Sequence, residues 1–172
     1  PLIMALIRVF QDYSTKEFVG FEHFDYILKT PAFVNSFKNV IIMAAKDLVL
    51  AFLRKEGFRP EEEEFGILFK YQMASFIYFN NSNDEEFFQL VMPGIFDIDE
   101  ENISIAMLAC NRLNSDVKVA KAFVSQHNDV WLAFEILLDE NPEVESIVPR
   151  ALNTLMHARE QFYAAIKELS AE

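Results

Sequence analysis

Alternating apolar and polar residues dominate the second half of the chain. The stretch Val117–Leu138 contains two alternating runs, and the polar spacer His127-Asn128-Asp129 separates them. Alternation with a period of two predicts strands rather than helices, and a short polar spacer between two such runs predicts a hairpin. The first run places Val117, Val119 and Phe123 on one side, with Lys121 among them; the second places Val130, Leu132, Phe134, Ile136 and Leu138 on one side and Trp131, Ala133, Glu135 and Leu137 on the other.

Three further strands are predicted upstream, over residues 65–72, 73–80 and 86–92. The turn between the first two is placed at Tyr71–Ala74, although no Gly or Pro marks it. The sequence NNSND at Asn80–Asp84 has the composition of a turn, and Pro93-Gly94 is predicted to end the third strand. The charged run RPEEEE at 59–64 is interpreted as a turn that precedes the sheet.

Apolar residues recur with helical spacing in five other segments, over residues 2–13, 18–28, 36–56, 100–114 and 146–169. The segment 36–56 is apolar over most of its circumference, so it needs cover on more than one side. Either the N-terminal segment or a contact with another subunit would provide this cover. Pro149 is placed in the first turn of the last helix, where its missing N–H costs little.

The predicted elements follow the order α-βββ-α-ββ-α. This order indicates an α+β fold, in which helices pack on an antiparallel sheet of about five strands. A chain of 172 residues has the length of one domain. We therefore predict a single domain, 1–172, in which an N-terminal helical extension, 1–35, precedes the α+β core, 36–172.

The composition favours a buried core and excludes several classes of partner. Apolar residues make up 52% of the chain, whereas the net charge is −12. Nucleic acids and anionic membranes are bound through basic surfaces, so neither is an expected partner. The single cysteine, Cys110, allows neither an intramolecular disulfide nor a cysteine metal cage, which suits a reducing cytoplasm. The opening segment PLIMALIRVF is too short to span a membrane.

The residue patterns that carry catalysis or bind metals are not found in the sequence. The three histidines lie far apart, and none has a second ligand at helical spacing. The acidic run at Asp97 begins like a calcium loop, but Asn102 replaces the required glycine and Leu108 the required glutamate. Its carboxylates are therefore interpreted as caps of the following helix. We predict no catalytic residue, no metal, no cofactor and hence no enzyme.

Several predicted strands carry apolar side chains on both faces, whereas an antiparallel sheet usually exposes one face to water. The side chains of Phe76, Tyr78, Trp131 and Leu137 are therefore candidates for a partner or dimer surface. Two occupants of the side that holds Trp131 are considered. The phenylalanine-rich residues 1–30 would cover it within the chain, or a second subunit or a peptide would cover it from outside.

Three stretches of this chain resemble the YbjN-like families of bacterial proteins, which have a type III secretion chaperone-like fold. They are the strand pair FGILFKYQMASFIYFN, the segment IDEENISIAMLACNRLNSDVKVAKAFV, and the last hairpin with the C-terminal helix. The resemblance covers about residues 36–169. It implies a small, acidic, cytoplasmic protein that is often dimeric and acts through protein contacts. Secretion chaperones dimerise through the helix before the last hairpin, which here is 100–114, with Ile105, Leu108 and Ala109 on the face available for pairing.

The leading functional expectation is a non-enzymatic protein-interaction module, chaperone-like or regulatory. It would act as a homodimer through apolar sheet and helix surfaces and would bind an unidentified protein partner. One alternative is a small-ligand-binding protein or an enzyme with a pocket between the sheet and the N-terminal segment, near His127 or Tyr78. Another alternative is a regulatory domain that docks on a larger protein.

Overall fold

A computed structural model describes residues 45–80, 84, 86–139 and 142–171. The predicted N-terminal extension, 1–35, and the first part of helix 36–56 lie outside these residues, so the single-domain organisation stays a prediction. Residues 45–55 are helical and form the described part of the first helix, α1. Gly57, with a φ of 85°, follows the helix and agrees with the predicted stop.

Six antiparallel strands form one sheet, which confirms the predicted α+β class and the antiparallel pairing. The strands lie in the spatial order β1-β2-β3-β4-β6-β5. Two long helices, α2 and α3, precede and follow the last hairpin. The bounds are β1 Glu61–Glu63, β2 Gly66–Tyr71, β3 Ala74–Phe79, β4 Phe87–Asp97, α2 Ile103–Asp116, β5 Ala120–Val124, β6 Asp129–Leu137 and α3 Val144–Leu169.

Strand β1 lies in the charged run that the sequence suggests is a turn. The segment Glu61–Glu63 pairs with Gly66–Leu68 in antiparallel register. All three glutamate side chains are exposed, so this strand has no apolar side to produce a period-two signal. Backbone pairing at a sheet edge needs no apolar side chain. The predicted number of about five strands is therefore one too few.

The turn between β2 and β3 lies where the sequence predicts it. Tyr71 pairs with Ala74, so Gln72 and Met73 form a two-residue loop. Both loop residues have positive φ, 46° and 66°, as in type I′ turns. Such turns favour Asn-Gly, because residues with a Cβ atom are strained in the left-handed region. The side chain of Met73 is fully exposed, so packing does not offset this strain.

Replacing Gln72-Met73 by Asn-Gly is expected to raise the free energy of unfolding by about 1 kcal/mol, because the new residues adopt positive φ with less strain. Urea denaturation measures this difference. The control is Ser75→Gly in β3, which is expected to destabilise, since glycine weakens a strand interior. An Asn-Gly variant no more stable than the parent would contradict the type I′ geometry.

Strand β4 continues beyond Pro93-Gly94, which corrects the prediction that this pair ends it. The register with β6 shifts between Met92 and Phe96, where β4 takes four residue steps and Val130–Leu132 of β6 takes two. The additional residues form a bulge. This bulge accommodates the missing N–H of proline and the positive φ of glycine, 61°. A turn-like dipeptide thus marks an irregularity within the strand.

Two other element ends differ from the predictions. Strand β5 begins at Ala120, so Val117 and Val119 belong to the connection after α2. Val119 has a φ of 68°, which interrupts the extended backbone that alternation predicts. Helix α3 begins at Val144, two residues before the predicted start, and Pro149 therefore lies in its second turn.

The helices pack on one face of the sheet and form the hydrophobic core there. Burial of apolar side chains between these layers is the main force that stabilises the fold. Small residues of α2, Ala106 and Ala109, are fully buried and allow close approach to neighbouring elements. The large, fully buried side chains of this core are Leu53, Ile67, Phe76, Phe88, Leu90, Met92, Val130, Leu132, Leu155 and Phe162.

Candidate functional site

The sheet has a second face, opposite the one that forms the helix-covered core, and we call it the Trp131 face. Alternate residues of β2 to β6 point to this face, in register across neighbouring strands. Its central row consists of Leu68, Ile77, Val91 and Ala133. Further apolar side chains on the same face are Phe79, Phe87, Phe123, Trp131 and Leu137.

The Trp131 face is closely packed in its centre and exposed at its margin. Val91 and Ala133 are 1% and 0% exposed, although they do not belong to the core formed with the helices. Leu137, in contrast, is 74% exposed. Exposed large apolar side chains at the margin, Leu137 and Phe123, are suited to bury further area against a partner.

Charged residues stand at the two ends of the central row. Glu61 of β1 is the register neighbour of Leu68 at one end, and Lys121 of β5 is the neighbour of Ala133 at the other. Lys121 forms an ion pair with Glu135 and still exposes 64% of its side chain. The apolar row therefore ends in the carboxylate of Glu61 on one side and in the Lys121–Glu135 ion pair on the other.

Hydrogen bonds fix the orientation of Trp131. Its indole Nε1 donates to Asp129 Oδ2 over 3.0 Å, and Asp129 Oδ1 accepts a hydrogen bond from the Ser125 hydroxyl. The indole ring lies 6.3 Å, between centroids, from the ring of Phe123. A half-buried aromatic side chain held in one orientation loses little conformational entropy when it binds a partner.

Two predicted surface residues of the sheet, Phe76 and Tyr78, are in the core. They point toward the helices and are 0% and 4% exposed. Burial also raises the pKa of Tyr78 to about 12. The register of β3 places Ile77 and Phe79 on the Trp131 face instead. Phe76 and Tyr78 are therefore core residues rather than surface residues, which corrects their predicted placement.

The other two, Trp131 and Leu137, lie together on the Trp131 face, as the alternation in β6 predicts. The sequence interpretation missed Ile77, Leu68 and Phe87 as members of this face. Alternation separates the two faces of a strand but does not say which face the helices cover. Pairing across the turn at residues 72–73 could have predicted which residues of β2 and β3 share a face. It could not have predicted which of the two faces the helices cover.

The predicted partner residues of helix α2 are divided between its two sides. Leu108 is 56% exposed, Ile105 is half-buried and Ala109 is fully buried. Ala109 therefore lies with Cys110 on the packed side of α2. Its small side chain allows α2 to approach the neighbouring elements closely. Met107 is 58% exposed beside Leu108.

Both edges of the sheet are unsuited to pairing with another strand. At one edge, β1 is three residues long and carries only glutamates. At the other edge, Asn114 of α2 contacts the backbone of Ala122 in β5: its Oδ1 accepts from the N–H over 2.7 Å, and its Nδ2 donates to the carbonyl over 3.0 Å. The amide side chain thus takes the place of a neighbouring strand at Ala122, in the middle of β5. Charge and side-chain cover are recognised ways of blocking edge pairing.

Asn114→Ala is expected to lower the free energy of unfolding by about 1–3 kcal/mol, because it leaves the Ala122 donor and acceptor without their partner. Urea denaturation measures the loss. The matched control is Ser115→Ala, at the next position of the helix, where the hydroxyl bonds only to the carbonyl one turn earlier. Equal effects of the two substitutions would contradict a specific role of Asn114 at the sheet edge.

Ser125, His127 and Asp129 lie in one hairpin, but their contacts are those of a turn. Ser125 Oγ accepts a 3.0 Å hydrogen bond from the backbone N–H of His127, while its hydroxyl donates to Asp129. Among the described residues, the His127 imidazole has no hydrogen-bond partner, so the imidazole is not aligned as a base on the Ser125 hydroxyl. The contacts agree with a structural role for His127. The predicted pocket beside the N-terminal segment involves residues outside the described ranges.

The acidic run before α2 forms a turn ahead of the helix, which corrects the predicted capping role. The N-cap residue Asn102 makes no side-chain capping hydrogen bond, and no acidic residue lies in the first turn. Asp99 Oδ1 accepts hydrogen bonds of 2.9 Å from the backbone N–H groups of Glu101 and Asn102. Asn102 Oδ1 in turn accepts from the N–H of Asp99 over 3.0 Å. No group of three or more His, Cys, Asp or Glu residues could hold a metal ion within the part of the chain that the structure describes.

Cys110 behaves as a small apolar residue. It is a buried free cysteine on the packed side of α2. Burial raises the pKa of its thiol to about 11, because the charged thiolate is poorly solvated there. The protonated thiol is a weak nucleophile, which argues against a reactive role.

Six chains of solved structures are similar to this chain, including two proteins of low sequence identity. One is YbjN, a proposed transcription regulator from E. coli, with 12% identity and a TM-score of 0.49 over 73% of this chain and 90% of that one. The other is an uncharacterized protein from Methanothermobacter thermautotrophicus, with 14% identity and a TM-score of 0.44 over 72% of this chain and 96% of that one. No protein-family model and no curated protein matches the chain.

YbjN, whose families the sequence resembles, is thus among the structures similar to this chain. At TM-scores below 0.5 this similarity carries no conclusion about family or function, and membership in the YbjN-like families and a chaperone-like role stay predictions. As for membranes, none of the helices within the described ranges is long and apolar enough to cross a bilayer.

Proposed function

We propose that this protein is a non-enzymatic protein-interaction module that acts as a homodimer through the Trp131 face. The observation that carries the proposal is the contiguous apolar row Leu68–Ile77–Val91–Ala133, which lies opposite the helix-covered core. Its cellular role would be regulatory or chaperone-like, as the resemblance to the YbjN-like families implies, with a protein as the further partner.

The charges at the ends of the row support pairing with a second copy. In a face-to-face dimer, a two-fold axis parallel to the strands would reverse the row of one subunit over the row of the other. Glu61 of one subunit would then lie over Lys121 of the other, at both ends of the interface. Opposite charges at the rim favour this register and disfavour the alternatives.

The blocked edges support a face rather than an edge as the contact. The glutamates of β1 and the Asn114 amide on β5 occupy the positions where another strand would add. Strand addition is therefore disfavoured at both ends of the sheet. The remaining apolar area on the sheet is the Trp131 face.

The test of the proposal places a lysine in the centre of the Trp131 face. Ile77→Lys is expected to raise the dimer dissociation constant about tenfold or more, because the charge would be buried without a partner. Size-exclusion chromatography with light scattering, over a dilution series, measures this change. Urea denaturation of the dilute protein checks that the variant folds.

Two matched controls place the same charge elsewhere on the surface. Met73→Lys, at the fully exposed hairpin loop, is expected to leave the dimer unchanged. Leu108→Lys tests the exposed surface of α2 in the same way. Loss of the dimer in Leu108→Lys but not in Ile77→Lys would place the interface on the helix and overturn the assignment to the sheet face.

A charge exchange tests the two-fold arrangement itself. Glu61→Lys and Lys121→Glu are each expected to weaken the dimer, since like charges would then meet at the rim. The double variant is expected to recover affinity, because the opposite charges are restored in exchanged positions. Additive weakening in the double variant would contradict the proposed register.

A further inference from the structure

Four apolar side chains lie together at the end of the sheet that is remote from the β5–β6 turn. We call Phe65, Phe79, Phe87 and Leu137 the Leu137 patch. Leu137 pairs with Phe87 across β6 and β4, and the Phe65 ring lies 6.1 Å, between centroids, from the Phe79 ring. Phe79 is the diagonal neighbour of Phe87, since its register partner on β4 is Gln89. Leu137 is 74% exposed and Phe65 48%, so the patch presents large apolar side chains to water.

A polar pair separates the Leu137 patch from the central apolar row on β4 and β6. Gln89 and Glu135 are register partners, and each lies two residues from the row and two residues from the patch. Gln89 Nε2 donates to Glu135 Oε1 over 2.9 Å, and Lys121 Nζ donates to Glu135 Oε2. Both carboxylate oxygens are therefore bonded within the chain. On these two strands the row and the patch are separate apolar surfaces.

The charges around the Leu137 patch have one sign. Within three positions of its four members, every charged residue of the sequence is acidic. Two of these acidic residues form ion pairs within the chain, and the further exposed ones are Glu63, Glu64, Asp84, Glu86 and Asp139. Backbone hydrogen bonds hold the strand ends together: Asn80 N–H donates to the Phe65 carbonyl, and Leu138 N–H donates to the Glu86 carbonyl. The patch is thus apolar in the middle and acidic at its rim.

The exposed apolar residues of α2 have no such rim. Met107 and Leu108 are more than half exposed, as Leu137 is. No charged residue lies within three positions of either of them in the sequence. An apolar partner with basic flanks therefore finds complementary charge at the Leu137 patch rather than at α2.

The dimensions of the patch favour a helical partner over an extended one. The patch crosses four neighbouring strands, β2, β3, β4 and β6, which span about 14 Å at the usual strand spacing. An amphipathic helix presents apolar side chains about once per turn of roughly 5.4 Å, so three turns cover this distance. An extended partner commonly adds to a sheet edge, and the groups at both edges disfavour that mode.

We propose that the Leu137 patch binds an amphipathic helix of another protein, whose apolar stripe is flanked by lysine or arginine. The stripe covers the four apolar side chains, and the basic flanks face the acidic rim. The inference rests on the proposed function as an interaction module and locates the site of its further protein partner. It does not require the homodimer.

Fluorescence anisotropy with two labelled helical peptides of about 18 residues tests the proposal. Both peptides carry the same leucine stripe, and the flanking residues are lysine in one and glutamate in the other. We expect the lysine peptide to bind the full chain at least about tenfold more tightly, because its flanks oppose the charge of the rim. Equal affinities of the two peptides, or no binding of the lysine peptide at submillimolar concentration, would overturn the proposal.

Leu137→Ser is expected to weaken binding of the lysine peptide about tenfold, because it removes a large apolar side chain from the contact. The matched control is Leu108→Ser, which removes an exposed leucine of α2 and is expected to leave the affinity unchanged. Equal effects of the two substitutions would overturn the assignment to the patch.

Two pairs of substitutions distinguish a specific rim from general attraction to an acidic chain. Glu63→Gln with Asp139→Asn removes two charges beside the patch, whereas Glu100→Gln with Glu101→Gln removes two exposed charges before α2. We expect only the first pair to weaken binding of the lysine peptide severalfold. Equal weakening by both pairs would indicate attraction to the net charge alone and would overturn the proposal.

Sedimentation equilibrium separates this inference from the proposed homodimer. The Ile77→Lys variant is expected to be monomeric and to bind the lysine peptide with unchanged affinity. A Leu137→Ser variant that loses the dimer but keeps its affinity for the peptide would assign the patch to the homodimer and overturn the inference. A parent chain that is monomeric and binds the peptide at the patch would contradict only the homodimer.

Discussion

Replacing Phe76 by alanine is expected to lower the free energy of unfolding by about 3–5 kcal/mol. The Phe76 ring is fully buried and stacks on the Phe69 ring, with centroids 5.6 Å apart and an interplanar angle of 17°. Truncation removes these contacts and leaves a cavity that the close-packed neighbours cannot fill. Urea denaturation, monitored by far-ultraviolet circular dichroism, measures the loss.

Met107→Ala serves as the control for Phe76→Ala. The Met107 side chain is 58% exposed on α2, so its removal is expected to change stability by no more than about 0.5 kcal/mol. A loss below about 1 kcal/mol for Phe76→Ala would contradict the core position of this residue. It would then return Phe76 to the candidates for a partner surface.

Replacing Gly66 by alanine is expected to cost about 3 kcal/mol of folding stability. A Cβ atom at Gly66 would lie 2.0 Å from the backbone carbonyl oxygen of Tyr78 in the neighbouring strand. This distance is far below a van der Waals contact, and the obstacle is backbone rather than a movable side chain. Strands β2 and β3 would have to separate where Gly66 pairs with Phe79. The midpoint of urea denaturation measures the effect.

Gly57→Ala separates the steric effect from backbone strain. Gly57 has a φ of 85°, but an added Cβ atom would meet no atom within 4 Å. The substitution is expected to cost about 1 kcal/mol through conformational strain alone. Similar losses at Gly57 and Gly66 would contradict the close pairing of β2 with β3.

Elements with strong periodicity were predictable from the sequence. The alternation in residues 129–137 gave both faces of β6, because burial of one side imposes a period of two. The turn at Gln72-Met73 was placed correctly without Gly or Pro, since two opposed alternating runs require a reversal between them. The α+β class followed from the order of these elements.

Elements determined by backbone contacts were not predictable in the same way. Strand β1 contains only glutamates, so hydrogen bonding to β2 defines it without any apolar pattern. Strand β4 passes Pro93-Gly94 because a bulge tolerates both residues, whereas the sequence signal for a bulge resembles that for a turn. Whether such a dipeptide forms a turn or a bulge depends on the neighbouring strand, and the local sequence does not identify that strand.

The candidate site was predictable only in part. Trp131 and Leu137 were placed on a shared face, but Phe76 and Tyr78 were assigned to a partner surface although they lie under the helices. A strand that is apolar on both sides gives no sign of which side the helices will cover. The assembly of the Leu137 patch from four strands depends on strand pairing, and no motif in the sequence indicates it.

Sedimentation equilibrium of the full chain at tens of micromolar tests the central claim most directly. We expect a mass near twice the chain mass of 19.9 kDa, falling toward the monomer on dilution. The Ile77→Lys variant is expected to sediment as a monomer under the same conditions, while Met73→Lys remains dimeric. A mass of 19.9 kDa for the unmodified chain at every concentration would contradict a homodimer formed through the Trp131 face.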